Sequence, residues 1–483
     1  MKEVSIIILG AGMSGICMAI KLREAGIFDF EILEKNDDIG GTWHDNTYPG
    51  ACSDVPAALY SFSFELNPGW SCVYPPQDEI KRYFASCADK YKLHQHIRLN
   101  SEVASAEYQE DGHWVVTLAN GEQICCRILI SGLGQLNLPY IPKIEGVEFY
   151  EGDQLHSARW NNNLDLSNKR IAVIGNAASA IQLIPSLSKK ASKLYIYQRT
   201  ANYIIARNDH DYGETTRSAF RAFPVTQRAV RLFYYLRQEL LFFGAMLPGT
   251  LRGRIIKWMA NQYMKTRVKD SSLWKALTPD YPLGCKRILV SDDYYQALNS
   301  ECVEIVTSPI NCFDQSGVCT GDAVQRAVDV IIYATGFRTT ELLAPLMIKG
   351  ENGMELNHAW RDGAEAHRGV AQSGFPNFYM LYGPNTNLGH SSIIYMVEKQ
   401  VGYVIQCIKK ILDEKLQSLQ PKKDAQAEYN HDLQKALKKT IWSGECGSWY
   451  KNDSGKITNN WAHSSTRFAL MMRNVNFNEY EQK

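Results

Sequence analysis

Two glycine loops lie 165 residues apart in this chain, and each is followed at the same offset by a side chain of opposite charge. In the first, Ile6-Ile7-Ile8-Leu9 runs into Gly10-Ala11-Gly12-Met13-Ser14-Gly15, and Glu34 stands 24 residues after Gly10, with Lys35 beside it. In the second, Ile171-Ala172-Val173-Ile174 runs into Gly175-Asn176-Ala177-Ala178-Ser179-Ala180, and Arg199 stands 24 residues after Gly175, with Thr200 beside it. A strand that turns through glycines into a helix offers backbone amides and the positive end of the helix dipole to a pyrophosphate. The end of the next strand then meets the adenosine ribose. A carboxylate there accepts from the ribose diol, whereas an arginine accommodates a 2′-phosphate. The simplest inference is two dinucleotides on one chain, FAD at the first loop and NADPH at the second.

The elements that must position these loops can be read from the pattern around them. A strand over 4 to 9, a helix from about 14 to 25 and a strand over 30 to 34 make a parallel βαβ unit that ends on Glu34. From about 98 to 131 the reading changes to short alternating segments with a turn at Asn120-Gly121, a small antiparallel layer that leads back to the first sheet. Pro139, Pro142, Gly146 and Gly152 mark a crossing, after which the second glycine loop opens a second nucleotide unit near residue 170. A segment from about 213 to 283, rich in aromatics and arginine and poor in acids, interrupts that unit as a helical subdomain. It reads as a lid over a substrate tunnel, as a membrane-facing surface, or as a plain helical subdomain with an aromatic core. A strand over 328 to 333 then runs into Ala334-Thr335-Gly336-Phe337 and back to the first unit, and 409 to 439 reads as charged helices. The expected fold is α/β, with two Rossmann-like dinucleotide-binding domains and a helical insertion in the second. Residues 1–140 and 326–483 form a discontinuous FAD domain, and 141–325 form the NADPH domain.

Composition narrows the function. With 483 residues, 45% of them hydrophobic, the chain can bury the cores of two or three domains. A net charge of +1 gives no overall field for nucleic acid, so none is expected as a partner. The twelve cysteines are scattered and include no Cys-x-x-Cys. That pattern reads as a reducing, cytoplasmic compartment and speaks against a disulfide reductase. The N-terminal apolar run is cut at once by glycines and reads as a buried strand, not a signal peptide, and no stretch has the length of a membrane span. No metal is expected, and the oligomeric state stays open.

A long loop from 40 to 56 is dense in glycine, proline and polar groups, and loops of that length in compact domains are usually functional. Gly40 and Gly41 allow close backbone approach, while Trp43 and Tyr48 offer flat surfaces for a ring system. The sequence Gly40-Gly41-Thr42-Trp43, then Tyr48-Pro49-Gly50-Ala51 and Asp54, resembles the type I Baeyer–Villiger monooxygenases among the class B flavoprotein monooxygenases. Between the loops that family carries Phe-x-Gly-x-x-x-His-x-x-x-Trp followed by Pro or Asp. Here Gly152, His156 and Trp160 match, with Tyr150 and Asn161 as departures. Gly284-Cys285-Lys286-Arg287 before Tyr294-Tyr295, Tyr382-Gly383-Pro384-Asn385 to His390, and Cys446-Gly447-Ser448-Trp449-Tyr450 are similar to further family blocks in the same order.

The resemblance implies an FAD-containing, NADPH- and O2-dependent enzyme that inserts one oxygen beside a ketone carbonyl by way of a C4a-peroxyflavin, giving an ester or lactone. It implies that Arg287 is the catalytic cation and Asp54 its carboxylate partner. Gly41, Thr42, Trp43, Asp45, Asp54, Tyr60, Val103 and Leu388 would join the first loop around FAD. Arg199, Thr200 and Lys286 would hold the 2′-phosphate, and Trp449 would stand near the nicotinamide. His156 would belong to the interdomain linker, holding hinge geometry. In the second loop Ala177 replaces the family's usual middle glycine, at the position that lets backbone approach the pyrophosphate. Two alternatives share this machinery: oxygenation of a sulfide or amine, and a flavin-binding paralogue that performs no oxygenation.

Overall fold

The computed structural model describes residues 1–444, 450–452 and 454–483. The strand Lys2–Leu9 pairs in parallel with Phe30–Leu33 on one side and Gln123–Ser131 on the other. Its last four residues, Ile6 to Leu9, are fully buried, because a central parallel strand is covered on both faces and must be apolar throughout. The helix Met13–Glu24 follows from the glycine turn, and Glu34 sits just past the end of Phe30–Leu33. Val103–Tyr108, Trp114–Leu118 and Gln123–Ser131 form the antiparallel layer, the last strand of which is shared with the parallel part of the same sheet. Late in the chain, Met347–Lys349 and Phe378–Met380 add to this sheet beside Val103–Tyr108 and Gln123–Ser131.

The second sheet has five strands, all parallel, in the order Val303–Val306, Lys193–Tyr197, Arg170–Ile174, Val330–Tyr333, Asp153–His156. Because Val330–Tyr333 lies at its heart, the crossing back to the first sheet falls between Tyr333 and Met347, later than the boundary at 326. The linker motif enters as the edge strand Asp153–His156. Gly152 is required there: a β-carbon would stand 2.1 Å from the Tyr150 hydroxyl, which donates to the Val328 carbonyl at 3.1 Å. Among the described residues ten cysteines are free thiols.

The insert consists of Glu214–Ala222, Pro224–Arg237, a π-helical turn Gln238–Phe242, and Leu251–Arg267. It is tied down on the first unit. Arg231 donates to the carbonyls of Ala58 and Ser61 at 2.7 and 2.9 Å, and Gln227 donates to that of Asn67 at 2.6 Å. The strongest tether is Glu239, which accepts from His390 Nε2 at 3.0 Å and from the amides and hydroxyls of Ser465 and Thr466. Burial alone would push this carboxyl up, but the hydrogen bonds from His390, Ser465 and Thr466 outweigh it and hold the group at about 2. A carboxyl depressed in the folded state adds stability above its unfolded value near 4.5, and that contribution is lost as pH falls toward 2. Glu239→Gln should therefore cost up to about 3 kcal/mol at pH 7. The gap to the parent should close between about pH 5 and 2, as read by urea unfolding at stepped pH.

Candidate active site

Both glycine loops open into one cavity of about 1250 Å³. Its wall brings together Gly10, Gly12, Met13, Ser14, Glu34, Lys35, Gly41, Thr42, Trp43, Asp45, Asp54, Tyr60 and Val103 from the first unit. From the second come Gly175, Asn176, Ala177, Ala178, Ser179, Arg199, Thr200, Lys286 and Arg287. Three expected contacts stand behind the wall. Ala180 and Leu388 are core residues, 0% and 1% exposed. Gly15 also stands back, and its role is packing: a β-carbon there would lie 1.9 Å from the Gly10 carbonyl oxygen. Trp449 lies outside the described residues. No residue of the insert lines the cavity among the described residues, so the expectation of a lid over a substrate tunnel is not met there.

The donor chemistry fits two pyrophosphates. The helix Met13–Glu24 starts at Gly12 and Ala178–Leu187 at Ala177, and neither has a side-chain cap or an acid in its first turn. Their first amides are thus left for an anion. At the first turn Gly41, with φ of +54°, packs its Cα against Gly12, and a β-carbon on it would stand 3.0 Å from the Gly12 Cα. Glu34 is buried beneath this turn and accepts from the amides of Ala11 at 2.7 Å and Asn36 at 3.0 Å. At the second turn Ala177 has φ of −84°, an ordinary extended backbone, so the alanine sits without strain. There the loop is fixed by side-chain amides instead. Asn176 donates to Gln198 Oε1 and the Thr200 carbonyl, both at 2.9 Å, and Asn202 donates to the Asn176 carbonyl at 3.0 Å.

The predicted phosphate cations converge on that second turn. Lys286 Nζ donates to Thr200 Oγ1 at 2.7 Å and stands 4.6 Å from the centre of the Tyr281 ring. Burial, and then the Arg199 charge, lower its proton affinity below the usual lysine value. Two like charges held together, only partly offset by Asp280, suit a polyanion.

Arg287 and Asp54 meet between the two loops. Arg287 Nε donates to Asp54 Oδ2 at 2.8 Å, joining residues 233 apart in sequence. Asp54 beside it raises the guanidinium above its ordinary value despite burial, so the positive charge is permanent. The carboxylate is placed by a tight turn in which Val55 N donates to Ser53 Oγ at 3.0 Å and that hydroxyl donates back to the Val55 carbonyl. Trp43 Nε1 donates to the Tyr60 hydroxyl at 3.0 Å, forming an edge-to-face aromatic corner near the pair. Tyr48 is turned to the second unit, where its hydroxyl donates to Gln182 Oε1 at 2.8 Å. His156 is buried, with burial pulling it down to about 4, and its Nδ1 accepts from the Ala158 amide at 3.1 Å. A neutral imidazole facing its own strand end holds the linker and does not suit proton transfer in the cavity.

Sequence reasoning missed the polar residues that stitch these parts together. Gln182 joins Tyr48 and Cys52 to the second nucleotide helix, Asn202 supports Asn176, and Gln135 adds to the wall. No local pattern marks them, because each acts on a partner distant in the chain or on a neighbouring loop.

One cavity walled by two Rossmann-type turns, a cation pair and a half-buried Arg–Asp pair defines an oxidoreductase of the two-dinucleotide class. The model of the flavin-binding monooxygenase-like family matches residues 2–349, and the chain belongs to that family. A curated FAD-binding monooxygenase of Aspergillus niger is 40% identical over 99% of this chain and 81% of its own. A Baeyer–Villiger monooxygenase of Pseudomonas aeruginosa is 37% identical over 99% of this chain and 91% of its own. Among solved structures, steroid monooxygenase bound to NADP aligns with a TM-score of 0.89 at 26% identity, covering 100% of this chain and 99% of that one. A complex of OTEMO with FAD and NADP aligns equally well, with a TM-score of 0.89 at 26% identity and 99% of each chain covered. The resemblance read from the motifs is borne out.

The two first-loop glycines make separable predictions. Gly12→Ala meets nothing closer than the Gly41 Cα at 3.6 Å. It should unfold within about 1 kcal/mol of the parent yet purify with less than about half the flavin per chain. Gly15→Ala should cost more than about 3 kcal/mol and lose flavin with the fold. Urea unfolding and flavin absorbance check both.

Proposed function

We infer that this protein is an FAD-containing, NADPH- and O2-dependent monooxygenase that inserts one oxygen beside a ketone carbonyl to give an ester or lactone. The observation that carries this reading is the 2.8 Å Arg287–Asp54 pair, set in the cavity that both glycine loops share. The open amides after Gly12, with Glu34 and the Gly41 to Asp45 turn, suit FAD. The amides after Ala177, with Arg199, Thr200 and Lys286, suit NADPH. Held there, FAD and NADPH would supply the redox chemistry that activates O2.

The chain's own part is placement and charge. Oxygen insertion beside a carbonyl puts negative charge on oxygen as the carbonyl is attacked, and that charge needs a fixed cation in a site poor in water. Arg287 supplies it. Asp54 accepts from Nε, and among the described residues both terminal nitrogens of the guanidinium are left to donate to an oxyanion. A lysine would offer its donors from a single freely rotating ammonium, without the planar fork that keeps one edge on Asp54 and aims the other at the oxyanion. Asp54 holds the guanidinium plane in place and offsets part of its desolvation, while Trp43, Tyr60 and Tyr382 narrow the water-accessible space around the pair.

Two predictions follow from this division of labour. Arg287→Ala should lower ester formation from a ketone by about a thousandfold or more, roughly 4 kcal/mol, while NADPH reduction of the flavin stays within about tenfold. Product analysis and anaerobic stopped-flow read the two steps separately. Ketone oxygenation retained by Arg287→Ala would overturn the role of the guanidinium. Sulfide or amine oxygenation with no ketone conversion would favour a soft-nucleophile oxygenase, and flavin reduction with no oxygenated product would favour a non-oxygenating paralogue. Separately, Lys286→Ala should raise the KM for NADPH by about 10- to 100-fold and leave that for NADH nearly unchanged, because only the former carries the 2′-phosphate.

A further inference from the structure

The insert has two apolar faces, and one of them is open to solvent. Of the 22 large hydrophobic side chains exposed among the described residues, twelve fall between Phe223 and Met259. They are ordered. On Leu251–Arg267 the buried positions Ile256, Ala260 and Met264 form the inward face. Leu251, Ile255, Trp258 and Met259, at 64, 45, 62 and 50% exposure, form a stripe on the opposite side at helical spacing. On Pro224–Arg237 the same arrangement recurs, with Gln227 buried and Val225, Leu232, Phe233 and Leu236 outward. Leu240, Leu241 and Leu247 continue the exposed run through the turn that joins the two helices. A single exposed leucine is ordinary, but two outward apolar helix faces on one hairpin mark an interaction surface.

The charges around the stripes say what kind of surface they meet. Residues 213 to 270 hold eleven Lys and Arg against three acids, although the whole chain carries only +1. Of those acids, Glu214 is paired with Arg217 and Arg221, and Glu239 is buried against His390. Exposed Arg228, Arg252, Arg254 and Lys257 have no acidic partner among the described residues. On the helical wheel Arg252 and Arg254 fall on either side of the Leu251–Ile255–Trp258–Met259 stripe, and Arg228 falls beside Val225 and Leu232. An apolar centre flanked by cations is what an interfacial helix presents to a bilayer carrying anionic headgroups. A second copy of this chain would bring the same cations against these, so charge disfavours a two-fold contact. No helix among the described residues is long and apolar enough to cross a membrane.

We propose that the outward face of the 223–259 hairpin seats this protein on the surface of an anionic lipid bilayer. The inner side of the same hairpin covers the loop that carries the site cations. Met246 packs at Gly284, two residues before Lys286, and Trp442 Nε1 donates to the Gly284 carbonyl at 3.1 Å. The bilayer would therefore contact the outer side of the layer whose inner side abuts the cation-bearing loop.

Flotation of the FAD-loaded full-length enzyme with vesicles tests this without reference to turnover, and so independently of the assigned reaction. Phosphatidylcholine vesicles containing about one third phosphatidylglycerol should carry the protein at low salt. Pure phosphatidylcholine should not, and about 0.5 M salt should release most of it. The double variants Leu251→Ser/Trp258→Ser and Arg252→Glu/Arg254→Glu should each bind the anionic vesicles at least about tenfold more weakly. Both should keep the parent's flavin content and unfolding midpoint. No flotation, equal binding to neutral vesicles, or undiminished binding by both variants would overturn the proposal. So would a concentration-dependent dimer in sedimentation velocity that Leu251→Ser/Trp258→Ser abolishes, which would make a second copy the occupant of this face.

Discussion

The geometry of the site depends on one electrostatic requirement: the Arg287 guanidinium, half-buried in the cavity wall, must have a carboxylate beside it. Removing a charge from water costs several kcal/mol unless an opposite charge stands within hydrogen-bonding distance. Among the described residues the acid that pairs with Arg287 is Asp54, which belongs to the other unit and lies 233 residues away. For the two to meet, the 40–56 loop must cross onto the second nucleotide unit, and the contacts of Tyr48 and Cys52 with Gln182 show how it is held there. That crossing turns two glycine loops on two sheets toward one cavity. The ion pair and the shared cavity are thus one feature seen from two sides.

The two nucleotide turns reach the same form by different means. The first depends on glycine: Gly15 lets the helix close on the Gly10 carbonyl, and Gly41, with φ of +54°, packs against Gly12 where a β-carbon on residue 41 would stand only 3.0 Å from the Gly12 Cα. The second has lost its middle glycine, yet Ala177 has an unstrained backbone, and the turn is secured by Asn176, Gln198 and Asn202. Gly175 remains indispensable, with φ of +107° and a notional β-carbon 2.5 Å from the Ala334 carbonyl oxygen. A methyl at 177 therefore bears on how closely a pyrophosphate can approach, and leaves the fold alone.

What could be read from the sequence was what is encoded locally. A buried parallel strand, a glycine turn and a charge at the next strand end all lie within about 25 residues, and their spacing carries the ligand chemistry. The Arg287–Asp54 pair came only through family resemblance, since nothing in either segment points to the other. The amide network of Gln182, Gln198 and Asn202 was invisible for the same reason: amide side chains carry no periodic signal and find partners through tertiary contacts. Sheet membership of Val330–Tyr333 was misplaced at its boundary because an apolar strand does not state which sheet it completes. Composition marked the insert as aromatic and basic, but only the three-dimensional arrangement separates Tyr234 and Phe242, packed inward, from Phe233 and Trp258, turned out.

That separation bears on why the insert is anchored so firmly. A helical hairpin with an exposed apolar face gains nothing from that face on folding, so its place on the molecule must come from its other side. Here the inward side carries buried Ile256, Ala260 and Met264, the Arg231 bonds to Ala58 and Ser61, and Glu239 locked onto His390, Ser465 and Thr466. The charge on Glu239 fixes orientation as well as contact, because a carboxylate with five donors has one place to sit, whereas apolar surfaces can slide. A surface that must meet a bilayer at a set angle to a catalytic cavity needs that kind of registry, which hydrophobic packing alone would not supply.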